Sequence, residues 1–345
     1  MPIAINARAA VRSEIGGVER FAREMTVRLP ALRPGGYRVV EPPSWLAHRA
    51  GHAWEQAALP MLSRGCELIY SPANLAPVAS RRNVVVIHDA AALRHPEAYS
   101  SGYVAYQRRL LPEIARHARL VITVSEFSRR ELTVLLRIPP EQVVVIPEGV
   151  EARFAPGVDP SPALSRHGLT RPYVLAVGTG SGRKNFAALG PTATRLHETG
   201  IELVLAGSDR GYLRGGAVGP RRIGYVDDAL MPALYAGASA LVMPSLYEGF
   251  GLPCIEAMAA GVPVVSSPHG ALPETCGDAA LIADPADTAA FAAAVLAAAC
   301  DEDVRARLIA AGLAQAGRYT WARTAELTDA AMASLLTAPN TASRH

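Results

Sequence analysis

Two glutamates lie eight residues apart, at Glu248 and Glu256, and the segment Gly249–Leu252 between them reads Gly-Phe-Gly-Leu. The apolar run before them predicts a strand. Pro253 predicts that a helix begins there, with Glu256 in its first turn, because proline is favoured at a helix start. The glycines let backbone N–H groups approach a ligand, the helix start attracts phosphate, and carboxylates accept hydrogen bonds from hydroxyls. The pattern predicts a site for a phosphorylated, hydroxyl-bearing ligand; the alternatives are a loop charge and a helix-dipole charge.

A second candidate site follows another apolar run. The glycine-rich segment Gly178–Gly182 leads directly into Arg183 and Lys184. Lys184 is the single lysine among 34 basic residues. Adjacent cations neutralise a diphosphate, whereas a helix start disfavours cations unless an anion is present. The segment therefore predicts phosphate binding; the alternative is a pair of exposed basic residues at a helix start.

The same glycines allow a rival interpretation. Gly178, Gly180 and Gly182 follow a predicted strand, as in a dinucleotide-binding fingerprint, and Asp209 after the next strand could contact a ribose. The third glycine is out of place for G-x-G-x-x-G, so the pattern is weak support for an oxidoreductase of the NAD type.

The first half of the chain offers two further candidates. Gly16 and Gly17 precede a predicted amphipathic helix and would let an anion approach its start. His88 and Asp89 stand at the end of a predicted buried strand, where His88 could hydrogen-bond a sugar or accept a proton. A simple loop-to-helix turn and a structural histidine are the respective alternatives.

The composition favours two globular domains. Half of the 345 residues are hydrophobic and 19% are charged, so each half of the chain can bury a core. Residues 1–160 carry 20 arginines and 15 acidic residues, a net charge of +5, against −2 for the remainder. A basic first half suits an anionic partner or membrane surface, and a solvated arginine surface explains it equally well.

The cysteines and the apolar runs bear on the compartment. The four cysteines are far apart, which excludes a zinc ribbon and does not suggest a disulfide framework. The N-terminus lacks the apolar core of a signal peptide, and the most apolar stretch, around residues 288–300, is too short to span a membrane. The sequence predicts a cytoplasmic protein whose basic first half permits peripheral contact with the inner face of the membrane. We expect no nucleic-acid partner and no metal site.

Short β-branched runs alternate with helical patterns, which is typical of doubly wound parallel sheets in an α/β fold. The predicted strands are Arg38–Val40, Leu68–Tyr70, Val84–His88, Leu120–Val124, Val143–Ile146, Tyr173–Val177, Glu202–Ala206, Ala240–Met243 and Val262–Ser266. The predicted helices include Gly17–Leu29, Tyr103–Ala118, Ser125–Leu136 and Leu230–Ala236. The alternation breaks at Pro147–Pro172, which we interpret as a linker. The predicted division is a domain at 1–155, a second at 156–320, and a C-terminal helix with a frayed tail at 321–345 that can pack back on the first domain.

Together these segments resemble the retaining glycosyltransferases of family 4. The resemblance runs from Gly16 to about Pro285, and its most specific element is the E-x7-E pattern from Glu248 to Glu256 with G-F-G-L-P inside it. The segments GTGSGRKN, GYVDDALMPALYAGA, TVSEFSRREL, VVVIPEGV and HGALPETCGDAALIADP also look like family segments. The resemblance implies the GT-B fold, in which two Rossmann-like doubly wound parallel-sheet domains face each other across a cleft.

The resemblance also implies how a nucleotide diphosphate sugar, the donor, would be held. Lys184, with Arg183, would bind its diphosphate. Glu256 would hold the ribose hydroxyls, and Tyr225 and Val226 would border the base. The second domain is thus the expected donor domain, and the first is the expected acceptor side.

The catalytic candidates of the resemblance are Glu248 and His88. Glu248 would contact the donor sugar and His88 would lie by the transferred sugar, while Gly16 and Gly17 would contact phosphate. The backbone beside Glu248 that would share this contact belongs to Gly249, Phe250, Gly251 and Leu252.

The implied chemistry needs no metal and no cofactor, because cations and helix ends take their place. Substitution would occur on one face of the sugar, with the leaving phosphate helping to deprotonate the acceptor. Two positions depart from the family pattern: Thr179 replaces a second phosphate-binding arginine, and Ser181–Gly182 replaces Glu-Pro. We therefore expect rearranged phosphate contacts.

The expected function is transfer of a hexosyl or deoxyhexosyl group from a nucleotide diphosphate sugar, with a GDP-mannose type of donor favoured. The acceptor would be a saccharide, a lipid-linked saccharide or another glycoside, as in cell-envelope or polysaccharide biosynthesis. The alternatives are a nucleotide-sugar epimerase, an oxidoreductase of the NAD type and a catalytically silent nucleotide-sugar binder.

Overall fold

The computed structural model describes residues 1–12, 15–43, 51–170, 172–207 and 221–337. Two predicted features lie outside these residues: Asp209, which the dinucleotide interpretation assigns to a ribose, and residues 338–345 of the predicted frayed tail. The strands are β1 (Ile3–Asn6), β2 (Tyr37–Val40), β3 (Ile69–Ser71), β4 (Asn83–Val86), β5 (Leu120–Thr123), β6 (Val143–Val145), β7 (Tyr173–Val177), β8 (Glu202–Ala206), β9 (Arg221–Gly224), β10 (Ala240–Met243), β11 (Val264–Ser266) and β12 (Ala280–Ile282).

The α-helices are α1 (Gly17–Leu32), α2 (Gly51–Leu62), α3 (Ala91–Arg94), α4 (Ser101–His117), α5 (Glu126–Leu136), α6 (Ser161–His167), α7 (Gly190–Glu198), α8 (Met231–Gly237), α9 (Leu252–Ala259), α10 (Leu272–Cys276), α11 (Thr288–Cys300), α12 (Glu302–Ala316) and α13 (Trp321–Thr337). Short 3-10 turns include Pro96–Ala98 and Gly182–Lys184.

The chain forms two compact units. The first comprises Met1–Ala90, Gln107–Gly149 and Trp321–His345, and the second comprises Ala91–Tyr106 and Val150–Thr320. The predicted division differs at two places, because Ala91–Tyr106 and residues 150–155 lie inside the predicted first domain and yet count with the second unit. The predicted linker Pro147–Pro172 also contains a helix, α6.

The first unit is built on a parallel six-stranded sheet of order β2-β1-β3-β4-β5-β6. Apart from β2, whose central Arg38 and Val39 are exposed, its strands are largely buried, as expected for strands covered on both faces. Helix α1 packs against α13, and the Phe21 and Trp321 rings meet edge to face at 5.7 Å. Both rings belong to the main apolar core of this unit, together with Ile5, Met25 and Tyr70. The C-terminal helix is therefore part of the first unit.

The second unit repeats the design with a parallel six-stranded sheet of order β12-β11-β10-β7-β8-β9. Its core joins inward side chains of these strands to α7, α11 and α12, among them Val174, Leu205, Val242 and Phe291. The α/β class with two doubly wound parallel sheets is thus confirmed. Among the described residues, no helix is long and apolar enough to cross a membrane.

Every predicted strand corresponds to an observed one, but three observed strands were not predicted. Strand β9 reads Arg-Arg-Ile-Gly and is largely exposed, so it lacks the apolar run on which the prediction relied. Strands β12 and β1 have three and four residues, as do several strands that were predicted, so their length does not explain why they were missed.

Candidate active site

The candidate site of the second unit follows two neighbouring strands. β7 pairs with β10 in parallel, with Leu241 opposite Leu175. The loops after parallel strands leave the same edge of a sheet, which is where open α/β sheets bind ligands. The glycine-rich loop after β7 and the Pro244–Gly251 loop after β10 are therefore brought together. Their backbones join directly, because the Leu246 N–H donates to the Arg183 carbonyl at 2.8 Å.

Glu248 lies at the centre of these contacts. Its Oε1 accepts from Lys184 Nζ at 2.7 Å and from the Ser245 hydroxyl at 2.6 Å. Arg183 Nη1 donates to Oε2 at 3.3 Å and to the Tyr247 carbonyl at 2.9 Å. Lys184 and Glu248 are each only 6% exposed. Two cations and one carboxylate, predicted as separate features, thus form one cluster, in which Arg183 is partly exposed and the other two side chains are buried.

The surroundings of Glu248 keep it ionised. Burial raises the pKa of this carboxyl, but the charges of Lys184 and Arg183, with hydrogen bonds from Lys184 and Ser245, outweigh burial and lower the pKa from 4.5 to about 2. A carboxylate with this pKa carries its charge throughout the physiological range. It can therefore accept hydrogen bonds, and it is a poor proton donor.

Two glycines allow the loops around Glu248 and Lys184 to close on each other. A Cβ added at Gly178 would lie 2.9 Å from Lys184 Cε, and one at Gly270 would lie 2.6 Å from the Glu248 backbone nitrogen. Both glycines also have positive φ, 154° and 68°. Larger residues would meet a steric and a conformational obstacle at both positions. The close approach of these segments to Lys184 and Glu248 therefore depends on the two glycines.

Glu256 lies one turn inside α9, not in the first turn as predicted, because the helix begins at Leu252. Its N-cap, Gly251, adopts the left-handed conformation (φ 105°), which favours glycine. The Glu256 carboxylate accepts from the Tyr235 hydroxyl at 2.8 Å and is 5% exposed. One buried oxygen of Glu256 is thus fixed by a neighbouring helix.

The remaining donor-side candidates also belong to the second unit. Tyr225 and Val226 follow β9; Tyr225 is 48% exposed and Val226 is buried. The Phe250 ring packs edge to face on Tyr319 at 5.4 Å. The Ser181 hydroxyl in the glycine-rich loop is buried and has no hydrogen-bond partner among the described residues, and a ligand oxygen at this loop would supply one.

His88 belongs to the first unit, where both of its ring nitrogens face acceptors. Nδ1 lies 2.9 Å from Glu148 Oε1 and Nε2 lies 3.0 Å from the Pro72 carbonyl. Burial lowers the pKa of His88, but the hydrogen bond and charge of Glu148, assisted by Pro72 and Asp89, outweigh it and raise the pKa above 6.5. Two acceptors require two N–H donors, which favours the imidazolium form. Contact with a sugar would have to replace one of these bonds, so the catalytic role stays a prediction.

We expect Glu148→Gln to lower the pKa of His88, since the substitution removes the charge and leaves the desolvation. Titration of the His88 ring by NMR measures this shift. Because the pKa of His88 is raised in the folded chain, its protonated ring stabilises the fold below pH 6.5, and this contribution is lost as pH rises through the folded-state pKa. The pH dependence of the free energy of unfolding should therefore be weaker in the variant. An unchanged His88 titration would contradict the pairing, and exposed Glu97→Gln, which pairs with the partly buried His95, is the control.

Gly16 and Gly17 stand at the start of α1, as predicted, but a carboxylate is already there. The Gly16 N–H donates to Glu19 Oε2 at 3.0 Å, and Arg12 pairs with Glu19 Oε1 at 3.0 Å. Glu19 is buried. A phosphate at this helix start would face that negative charge, and phosphate contact by the two glycines stays a prediction.

Three residues that contact the candidate side chains of this unit were not singled out in the sequence: Ser245, Tyr235 and Tyr99. Ser245 could have been predicted from the sequence, because it precedes Glu248 by three residues in the same loop. Tyr235 and Tyr99 act on residues 21 and 84 positions away, and no local pattern marks such a contact. Among the described residues, no group of three or more histidine, cysteine, aspartate or glutamate side chains could hold a metal ion.

Comparisons with known proteins identify the family of this chain. The family described as Glycosyltransferase Family 4 matches residues 15–154, and the family described as Glycosyl transferases group 1 matches residues 171–301. O-antigen chain mannosyltransferase B of Escherichia coli is 35% identical over 276 residues, covering 74% of this chain and 71% of the relative.

Solved structures show the same fold. Sucrose-phosphate synthase from Thermosynechococcus elongatus superposes with a TM-score of 0.76 and 20% identity, covering 98% of this chain and 100% of the other. Anabaena HepE in complex with UDP and glucose superposes with a TM-score of 0.74 and 18% identity, covering 97% and 100%. The chain belongs to glycosyltransferase family 4 and is a glycosyltransferase.

Proposed function

We propose that this glycosyltransferase binds a nucleotide diphosphate sugar in its second unit and transfers the sugar with retention to a saccharide, lipid-linked or other glycoside acceptor. The observation that carries the proposal is the cluster of Arg183, Lys184 and Glu248, in which the lysine and the glutamate are buried. It sets two cations beside a glycine-rich loop and a carboxylate beside the Gly249–Leu252 backbone.

Arg183 and Lys184 supply the charge that a diphosphate needs. Lysine has three donors and no acceptor, so Lys184 can keep its bond to Glu248 and still donate to phosphate oxygens. Arginine adds a planar fork that suits phosphate. These two side chains support binding of the diphosphate without a metal ion.

Glu256 suits the ribose. A ribose presents vicinal hydroxyls, each able to donate to a carboxylate oxygen. The Tyr235 hydroxyl donates a hydrogen bond that orients the Glu256 carboxylate, so little side-chain freedom remains to be lost on binding. Exposed Tyr225 beside buried Val226 would then border the base.

Glu248 is better suited to hold the donor sugar than to move a proton. An efficient general base has a pKa near the working pH, whereas that of Glu248 is about 2. We therefore assign the acceptor proton to the leaving group. The acceptor oxygen bonds to the anomeric carbon, the bond from that carbon to the phosphate oxygen breaks, and the proton passes to that oxygen.

Two of the similar proteins bear on the donor. The Escherichia coli relative is a mannosyltransferase, which supports a mannosyl donor such as GDP-mannose. Anabaena HepE was solved with UDP and glucose, but its 18% identity to this chain supports a shared fold and not a shared donor. The family match does not favour the alternative of an oxidoreductase of the NAD type. The basic surface of the first half supports, as a proposal, peripheral contact with a membrane that carries the acceptor.

A thermal-shift screen tests the proposal. A ligand that binds only the folded chain stabilises it by about 2.7 kcal/mol at a hundredfold excess over Kd. We expect GDP or UDP to raise Tm, with GDP-mannose favoured among sugar donors, and NAD to have no effect. Guanosine and uridine serve as controls, since they lack the diphosphate. Stabilisation by NAD alone would overturn the assignment.

A further inference from the structure

The segment Ala91–Tyr106 belongs to the second unit although it precedes that unit's sheet by many residues. It contains α3, the 3-10 turn Pro96–Ala98 and the first residues of α4. The turn Pro96–Ala98 lies against the turn Gly182–Lys184, which carries both predicted phosphate-binding cations. The surroundings of the donor site thus include a segment from the first half of the chain.

One side chain of this segment contacts the cluster directly, and a second contacts the neighbouring Tyr247. Arg183 Nε donates to the Tyr99 hydroxyl at 3.2 Å. The ring of His95 meets that of Tyr247 edge to face at 5.4 Å, and the Tyr247 carbonyl accepts from Arg183 Nη1. Tyr99 is 8% exposed, and its ring stacks on Tyr103 at 5.5 Å. The Tyr99 hydroxyl is therefore held in place by its own ring packing.

The Arg183 guanidinium is consequently held at two of its nitrogen atoms, Nε and Nη1. Tyr99 holds Nε, and Nη1 is shared between the Tyr247 carbonyl and Glu248. Because the guanidinium is planar, bonds at Nε and at Nη1 determine the plane and the direction of the whole fork. A fork fixed before binding loses less conformational freedom when an anion arrives.

We propose that Tyr99 is a positioning residue of the donor site, which orients Arg183 for the diphosphate of the nucleotide sugar. The inference rests on the proposed function, in which Arg183 and Lys184 bind that diphosphate. Tyr99 acts through Arg183 and need not touch the reacting atoms. Its hydroxyl should therefore affect diphosphate binding and leave nucleoside binding unchanged.

The test compares Tyr99→Phe with the wild-type chain. Phenylalanine keeps the ring that stacks on Tyr103 and removes only the hydroxyl that Arg183 contacts. Tyr103→Phe is the matched control, because it changes the same stack and leaves the bond to Arg183 in place. The probe is whichever of GDP, UDP and ADP raises the Tm of the wild type most, together with its nucleoside, both titrated by calorimetry.

We expect Tyr99→Phe to weaken nucleoside diphosphate binding about threefold to tenfold, the range for loss of one hydrogen bond. Nucleoside affinity, and both affinities of Tyr103→Phe, should stay within twofold of the wild type. In an Arg183→Ala background, Tyr99→Phe should have no further effect, because a residue that acts through Arg183 has nothing left to orient. This non-additivity separates positioning from a general loss of stability.

Different outcomes contradict the two proposals. If no nucleoside diphosphate binds the wild type, or Arg183→Ala leaves binding unchanged, the proposed diphosphate site fails and the inference fails with it. If Arg183→Ala weakens binding and Tyr99→Phe does not, only the role of Tyr99 is overturned. Equal weakening of diphosphate and nucleoside by Tyr99→Phe, or additive effects with Arg183→Ala, would also overturn it.

Discussion

Glu248→Gln should reduce kcat for sugar transfer about 100-fold to 1,000-fold, the range for removing one preorganised polar group from a transition-state site. Glutamine keeps the size of the side chain and can still accept from Lys184 and Ser245, so the chain should fold. It loses the negative charge that holds the two cations and the donor sugar. Initial rates with the donor found by the thermal screen measure the effect.

The matched control is Glu198→Gln, an exposed glutamate at the end of α7 in the same unit. It should leave turnover unchanged. Turnover of Glu248→Gln equal to that of the wild type would remove Glu248 from the reaction. A loss shared by both variants would point to the assay or to the fold instead.

Stability at low pH shows whether the Glu248 charge is present in the folded chain. Its folded-state pKa of about 2 lies below the ordinary 4.5, so its contribution is complete above pH 4.5 and is lost as pH falls toward 2. The advantage of the wild type over Glu248→Gln in free energy of unfolding should shrink by about 2 kcal/mol from pH 7 to pH 3. Urea denaturation measures it, and a constant difference would show that the carboxyl titrates normally.

Lys184→Ala should weaken binding of a nucleoside diphosphate about 10-fold to 100-fold, the range for losing a hydrogen bond to a charged group. Binding of the corresponding nucleoside should not change, because the lysine is assigned to phosphate. Arg307→Ala, an exposed cation on α12 of the same unit, is the control. Equal weakening of diphosphate and nucleoside would refute the phosphate role.

The same substitution should also destabilise the fold. Removing one partner of a buried ion pair leaves an uncompensated charge and costs about 3–5 kcal/mol, whereas removing both costs less. The double variant Lys184→Ala with Glu248→Gln should therefore be more stable in urea denaturation than the sum of the two single effects predicts, by about 1–3 kcal/mol. Additive effects would show that the two side chains do not pair.

The sequence predicted the α/β class and the segments of the candidate site because both depend on local patterns. Continuous apolar runs marked the buried strands, and the residues after two of them, Lys184 and Glu248, carried charge where a loop should carry ligand contacts. Strand β9, with two exposed arginines, had no such pattern. Its pairing with β8 depends on the folded sheet.

The pairing of the site residues could not be predicted, because it depends on which strands become neighbours. Lys184 and Glu248 are 64 residues apart and meet only because β7 and β10 pair. The Glu148 that holds His88 comes from 60 residues away, and the Tyr99 that contacts Arg183 comes from 84. Identifying such partners requires the sheet order, which follows from topology rather than from spacing.

A crystal structure of the chain with the nucleotide sugar that stabilises it most is the direct test of the central claim. The account predicts phosphate oxygens within about 3 Å of Lys184 Nζ and the Arg183 fork, with ribose hydroxyls on Glu256. Glu248 should contact the sugar. A diphosphate bound elsewhere, with the Lys184–Glu248 pair untouched by ligand, would contradict it.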